Sequence, residues 1–165
     1  RDSQYTDCPL YWISVIYLNF AEAKAEMGSL TQDDLNNSIN KLQARAGLPA
    51  MTTTPDADPA NNMGVSNLIW EIRRCRRCEL IMDNWYRYWD LIRWHQLDKL
   101  DSTKYPNTML GANVSNVPDC EEATKNGYID ASDAQIRTYE AKHYFYPIPT
   151  TQLTLNKNMK QNPGW

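Results

Sequence analysis

Residues 68–94, LIWEIRRCRRCELIMDNWYRYWDLIRW, place Leu68, Ile72, Cys75, Cys78, Met82, Trp85, Trp89 and Ile92 in steps of three or four. That is the period of one helix face turned toward a core. Arginines and carboxylates fill the positions between. The spacing predicts a long central helix, over 66–98, in an all-α domain. Asp83 and Arg87 stand four apart in the stabilising order, acid first. Glu79 and Asp83 are also four apart and would repel unless arginines lie between them, a role open to Arg76, Arg77 and Arg87.

A chain of 165 residues is one ordinary domain or part of a larger one. Its net charge of −3 disfavours a nucleic-acid partner, which usually meets a basic surface. No run of 18 apolar residues is present, so no transmembrane helix is expected. The chain opens on Arg1-Asp2-Ser3 without a methionine and reads as a piece of a longer precursor.

Ahead of the central helix, residues 9–46 read as a helical hairpin. Pro9 suits a first helical turn, and Leu10, Ile13, Tyr17, Phe20 and Ala21 form one face of a helix ending before Gly28. Ile16, Val15 and Leu18 make the other side apolar too, so burial on more than one side is expected. Thr31 and Asp34 approximate a capping box for a second helix, with Leu35, Ile39, Leu42 and Ala46 inward and Gly47 and Pro49 at its end. The short connection and the length of about 40 residues resemble a tetratricopeptide-type hairpin. Residues 50–65 read as an exposed loop. Residues 99–135 carry turn formers and little periodicity, and a loop of that length is often functional. Residues 136–165 read as an irregular C-terminal segment. Within it, 136–146 is tyrosine-rich and partly extended, and Thr150 or Thr151 caps one short turn through Leu155.

Cys75-Arg-Arg-Cys78 has the spacing of a redox or zinc pair. Both thiols fall on the apolar stripe inside a helix, with no second pair nearby, so they read as buried structural thiols. No metal and no cofactor are expected. Glu79 and Asp83 would be the carboxylates of a glycosidase. The surrounding arginines would hold both ionised, whereas a general acid needs a raised pKa. His95 and His143 have no catalytic or metal-ligand spacing and read as solvated or locally bonded.

Four blocks, in order, resemble the C-terminal portion of the SusD/RagB family of outer-membrane lipoproteins. They are Ala21-Glu22-Ala23 with Gly28; Asn40 with Arg45-Ala46-Gly47-Leu48-Pro49; Arg76-Arg77-x-Glu79-Leu80 with Asp83, Arg87, Asp90-Leu91 and Arg93-Trp94; and Tyr146-Pro147-Ile148-Pro149 with Gln161-Asn162-Pro163-Gly164-Trp165. Departures, such as Cys75 where the family often has Glu and Gln43 in place of an Arg, suggest a divergent branch. The resemblance covers nearly the whole chain, 1–165. It implies an α-helical SusD-like fold with irregular loops that form a carbohydrate-binding face.

The resemblance further implies a protein that is not an enzyme. It would bind oligosaccharide noncovalently at the outer face of the outer membrane and deliver it to a SusC-like TonB-dependent transporter. Membrane association would come only through an N-terminal lipid anchor absent from this chain, since Cys8 lacks a lipobox. The signature residues Arg76, Arg77, Glu79, Asp83, Arg87, Asp90, Arg93 and Trp94 are expected to clamp helices together. Trp12, Tyr17, Trp85 and Trp89 read as core. Sugar recognition needs flat apolar faces beside amides, and the loop residues Tyr105, Asn107, Asn113 and Tyr128 are the candidates. The competing reading is a tetratricopeptide-type protein-interaction scaffold with no sugar site of its own.

Overall fold

The computed structural model describes residues 11–82, 86–118, 124–130 and 135–165. The fold is all-α, with irregular loops and a small sheet, and falls into two units, Arg1–Arg87 and Tyr88–Trp165. No helix among the described residues is long and apolar enough to cross a membrane.

The first unit contains α1 (Ile13–Glu26), α2 (Gln32–Asn36), α3 (Ile39–Arg45) and α4 (Asn67–Glu79). Helix α1 packs on α4 and α3. Leu18 and Ala21 of α1 meet Leu35, Ile39, Leu42, Met51, Ile72 and Leu80 in one core. Both helices of the hairpin end as the glycines predict. Gly28 and Gly47 take positive φ, and the next residue returns its N–H to the last turn: Ser29 to the Lys24 carbonyl at 3.0 Å, Leu48 to that of Gln43 at 2.9 Å. The capping box is present: Thr31 Oγ1 accepts from the Asp34 amide, and Asp34 accepts from the Thr31 amide.

Several features differ from expectation. The second helix of the hairpin is broken at Asn37-Ser38. There the Asn37 amide and the Ser38 hydroxyl donate to the carbonyls of Asp33 and Asp34, bonds that compete with a continuous helix. Helix α1 is buried on one side only, through Ser14, Leu18, Ala21 and Glu22. Ile13 and Ile16 remain 61% and 57% exposed, and Phe20 and Trp12 face outward with them. In an all-round apolar helix, periodicity does not choose the face. The choice falls to Glu22, which is 4% exposed and accepts from Arg73 Nε of α4 at 3.2 Å. Pro9, Leu10 and Trp85 lie outside the described residues.

The central helix is not continuous over 66–98. Helix α4 stops at Glu79, and Met82 follows at φ 63°. A second helix, α5, spans Tyr86–Arg93, and its first two residues belong to the first unit. From the last turn of α4 onward the predicted stripe loses its phase. Ile72 is buried and Leu68 and Cys75 partly so, but Cys78, Met82 and Trp89 are exposed. The end of α5 closes like those of α1 and α3, with Gln96 N–H to the Leu91 carbonyl at 2.8 Å. The left-handed position there is His95, not a glycine, so the sequence carries no stop signal.

In the second unit, the expected irregular stretch 99–135 holds a 3-10 turn, Pro106–Met109, and a three-stranded antiparallel sheet. Its strands are β1 (Leu110–Asn113), β2 (Thr124–Lys125) and β3 (Tyr128–Asp130), in the order β1-β3-β2. Asn126 and Gly127, both at positive φ, make the two-residue turn between β2 and β3, the preferred hairpin geometry. The segment 136–165 includes a 3-10 turn at Ala141–Tyr144 and helix α6 (Thr150–Leu155), with Pro149 in place of a threonine at its N-cap.

Arg73 also reaches Glu26 at 3.0 Å, and its side chain is 10% exposed. Removing one partner of a buried pair strands the other charge, at a cost of about 3–5 kcal/mol. Arg73→Ala is therefore expected to lower the unfolding free energy of the full chain on that scale. Exposed Arg77→Ala should stay within about 0.5 kcal/mol of the parent. Denaturant titration of the two variants checks this; equal losses would contradict it.

Candidate functional site

Side-chain to backbone bonds between distant segments build one concave surface in the second unit. It is a cleft of about 290 Å³ lined by Tyr88, Leu97, Leu100, Arg137, Thr138, Tyr139 and His143. Tyr88 comes from α5, and Leu97 and Leu100 from the 3-10 turn that follows it. The opposite wall, 137–139, is hydrogen-bonded to Asp101 and Ser102. Ser102 N–H donates to the Arg137 carbonyl at 2.9 Å, and Arg137 N–H donates to Ser102 Oγ at 3.0 Å.

Asp101 fixes the other end of that wall. It is buried, with one carboxylate oxygen accepting from the Thr103 hydroxyl and amide and the other from the Tyr139 amide at 3.0 Å. The Thr103 hydroxyl, then the Tyr139 amide, hold its carboxyl down at about 2, below the ordinary 3.8. Burial, followed by the Tyr144 hydroxyl, pushes the Tyr139 phenol up to about 12. Tyr144 in turn accepts the Leu97 amide at 3.2 Å and sets its ring edge against Tyr139, 5.8 Å between centroids. The Tyr88 hydroxyl meets that of Tyr146 at 3.3 Å, a bond that raises the Tyr88 pKa.

His143 is held by a clasp at the end of the chain. Its Nδ1 accepts from the Glu140 amide at 3.0 Å. The Trp165 indole N–H donates to the carbonyls of Lys142 and Phe145, on either side, and its ring lies 5.9 Å from the imidazole. Upstream, the Gln161 amide accepts Ile148 N–H at 2.7 Å and donates to the Ile148 carbonyl at 3.0 Å. Asn162 donates to the Tyr146 carbonyl at 2.7 Å. The two parts of the fourth sequence block thus form one device, which steadies one lip of the cleft.

The four loop candidates do not line this cleft. Asn113 and Tyr128 are brought together as cross-strand partners in the sheet. Asn113 Oδ1 is taken up by the Ser115 amide. Tyr105 and exposed Asn107 flank Pro106, and the Tyr105 hydroxyl accepts from Lys99 Nζ at 3.0 Å. Tyr88, Arg137, Thr138, Tyr139 and His143 were missed as candidates; the only signal was the tyrosine-rich character of 136–146.

Several signature residues of the central helices are engaged with other side chains. Glu79 accepts both bonds of Arg45 across α3 and α4, at 2.6 and 2.7 Å, so Arg45 and not its helical neighbours neutralises it. Buried Arg76 donates to Asn19 of α1 at 2.8 Å. Asp90 is buried and accepts from Arg93, whose guanidinium lies over the buried Trp94 ring at 4.7 Å. Arg77 is exposed and makes no ion pair among the described residues; Arg87 is half-buried on α5; Asp83 lies outside them. Arg73 and Arg74, unremarked in the sequence, carry ion pairs to Glu22, Glu26 and Glu71. Cys75 is partly buried and Cys78 exposed, a correction to two buried thiols. Burial, then Glu79, pushes the Cys75 thiol up to about 12, which removes thiolate character. Among the described residues no cluster of His, Cys, Asp or Glu is placed to hold a metal.

A model of the SusD family matches residues 2–165, and the chain belongs to that family. The family's general role is carbohydrate binding in nutrient uptake, without enzymatic activity. No curated protein and no solved structure matched.

Asp101 supplies a pH test of the wall. Its folded pKa is depressed, so its contribution is present above the unfolded value near 3.8 and is lost as pH falls toward about 2. The parent should lose stability across that window more steeply than Asp101→Asn, while at pH 7 the variant is the less stable of the two. Denaturant midpoints measured across the window check the slopes; parallel curves would remove Asp101 from this role.

Proposed function

We propose that this chain is part of a glycan-capture protein at the bacterial outer surface. It binds oligosaccharide noncovalently, without turnover, for delivery to a SusC-like TonB-dependent transporter. The parent protein would be lipid-anchored on the extracellular face of the outer membrane. The observation that carries the reading is the cleft between Tyr88 and Tyr139. There, aromatic faces stand beside Arg137, Thr138 and a neutral phenol in a space of about 290 Å³. Pyranose rings need flat apolar surfaces with a few fixed polar groups. The volume lies at the small end of ligand pockets, which suits one or two sugar units.

The interaction-scaffold reading has one observation in its favour. Trp12, Ile13, Ile16 and Phe20 make an exposed apolar stripe on α1, the kind of surface that marks a contact face. Sugar binding and its loss on cleft substitution separate the two readings. A glycosidase reading has little support, because Glu79 is committed to Arg45.

The full chain is expected to be retarded by one or more members of a plant and host polysaccharide panel in affinity electrophoresis, with no release of reducing ends. Tyr88→Ala and His143→Ala should each weaken that binding several-fold, on the scale of about 1 kcal/mol per aromatic face. Retention unchanged in both variants, or measurable hydrolysis, would defeat the proposal.

A further inference from the structure

Arg45, Arg73, Arg74 and Arg93 each meet a carboxylate of this chain. Arg137 does not. Its main-chain N–H and carbonyl are both held by Ser102, so its backbone is fixed, yet its guanidinium forms no ion pair among the described residues. It lines the cleft beside Tyr139. Of the described acids near it, Asp101 and Glu140 are engaged elsewhere. Asp101 is turned into its bonds with Thr103 and Tyr139, and Glu140 pairs with Lys142 at 3.2 Å. Asp98 is the remaining acid that acts on Tyr139. A second cation offsets it: Lys104 Nζ stands 6.0 Å from the Tyr139 ring centroid. The chain as a whole is acidic, at −3, so this is a local feature and not a generally basic surface.

We propose that the cleft selects a sugar bearing a carboxylate, such as a hexuronate, with the Arg137 guanidinium receiving the carboxylate while Tyr88, Tyr139 and His143 meet the ring. This rests on the reading of the cleft as a glycan site. A guanidinium presents parallel N–H donors that match the two oxygens of a carboxylate, and a charge-assisted pair is about twice as strong as a neutral one. A neutral hexose offers hydroxyls, which take up one donor at a time and carry no charge to offset. The anchored backbone lets the fork be presented with less ordering on binding.

Calorimetric titration of the full chain at physiological salt tests this with three probes: an oligogalacturonate, its carboxyl-reduced counterpart, and acetate as a bare carboxylate. The expected result is that the acidic oligosaccharide binds about tenfold or more tightly than the reduced one, with acetate undetected. Arg137→Gln and Arg137→Lys, checked for folding by circular dichroism, should erase or strongly reduce that preference. Lys157→Gln, which removes an exposed charge of the same sign away from the cleft, should keep it. Equal binding of the acidic and reduced sugars overturns the carboxylate inference and leaves the glycan reading standing. Acetate binding as tightly as the oligosaccharide overturns it in favour of a simple anion site. A preference that survives both Arg137 variants moves the carboxylate off Arg137. Absence of binding by both sugars overturns this inference, and the polysaccharide panel then decides the glycan reading separately.

Discussion

Long stretches of this chain lie outside helix and strand, yet run past buried groups, so their backbone N–H and C=O groups need partners that regular structure does not supply. Side chains meet that requirement. Asn40 grips Met51, accepting its N–H at 2.7 Å and donating to its carbonyl at 3.1 Å. Gln161 grips Ile148 in the same two-sided way, and Asp101 and Ser102 hold 137–139. An amide side chain reproduces one rung of a sheet where no second strand is available. Without such rungs the loop after α3 and the wall of the cleft would have no fixed course.

The same requirement explains the family motifs physically. Asn40 stands four residues before the Ala44-Arg45-Ala46-Gly47 turn, so that the helix carrying it ends where the chain can double back to Met51. Gly47 makes the reversal and Arg45 ties the turn to Glu79 of α4. Glu22, inside an alanine-rich stretch of α1, is there for Arg73. The alanine at 21 lets the two helices come close enough for that pair to be buried. The terminal tryptophan places its indole N–H between two carbonyls and its ring against His143.

What the sequence made legible was local. Gly28 and Gly47 announced helix ends because only a residue without Cβ takes that conformation freely. The Thr31–Asp34 box was readable because both bonds lie within four residues. The end of α5 was not, since His95 adopts the left-handed conformation with no glycine to mark it. The burial of α1 was misread because its apolar residues surround the helix, and the deciding partner, Arg73, lies 51 residues away. The sheet hairpin at Asn126-Gly127 was not legible, since its flanking strands are two and three residues long, too short to show alternation. The cleft was least legible. Its wall depends on bonds between 101–103 and 137–139, a long-range match with no local period, whereas the loop residues that composition singles out end up in the sheet and beside Pro106.

The two amide grips, at Asn40 and Gln161, carry no net charge, and that sets how the molecule answers to its medium. Mobile ions weaken exposed charge pairs, and half-exposed contacts such as Arg45–Glu79 and Lys142–Glu140 soften as the surroundings become more saline. A neutral amide rung offers such ions nothing to screen. The course of the loops, and with it the shape of the cleft lip, is thereby decoupled from ionic change in the surroundings.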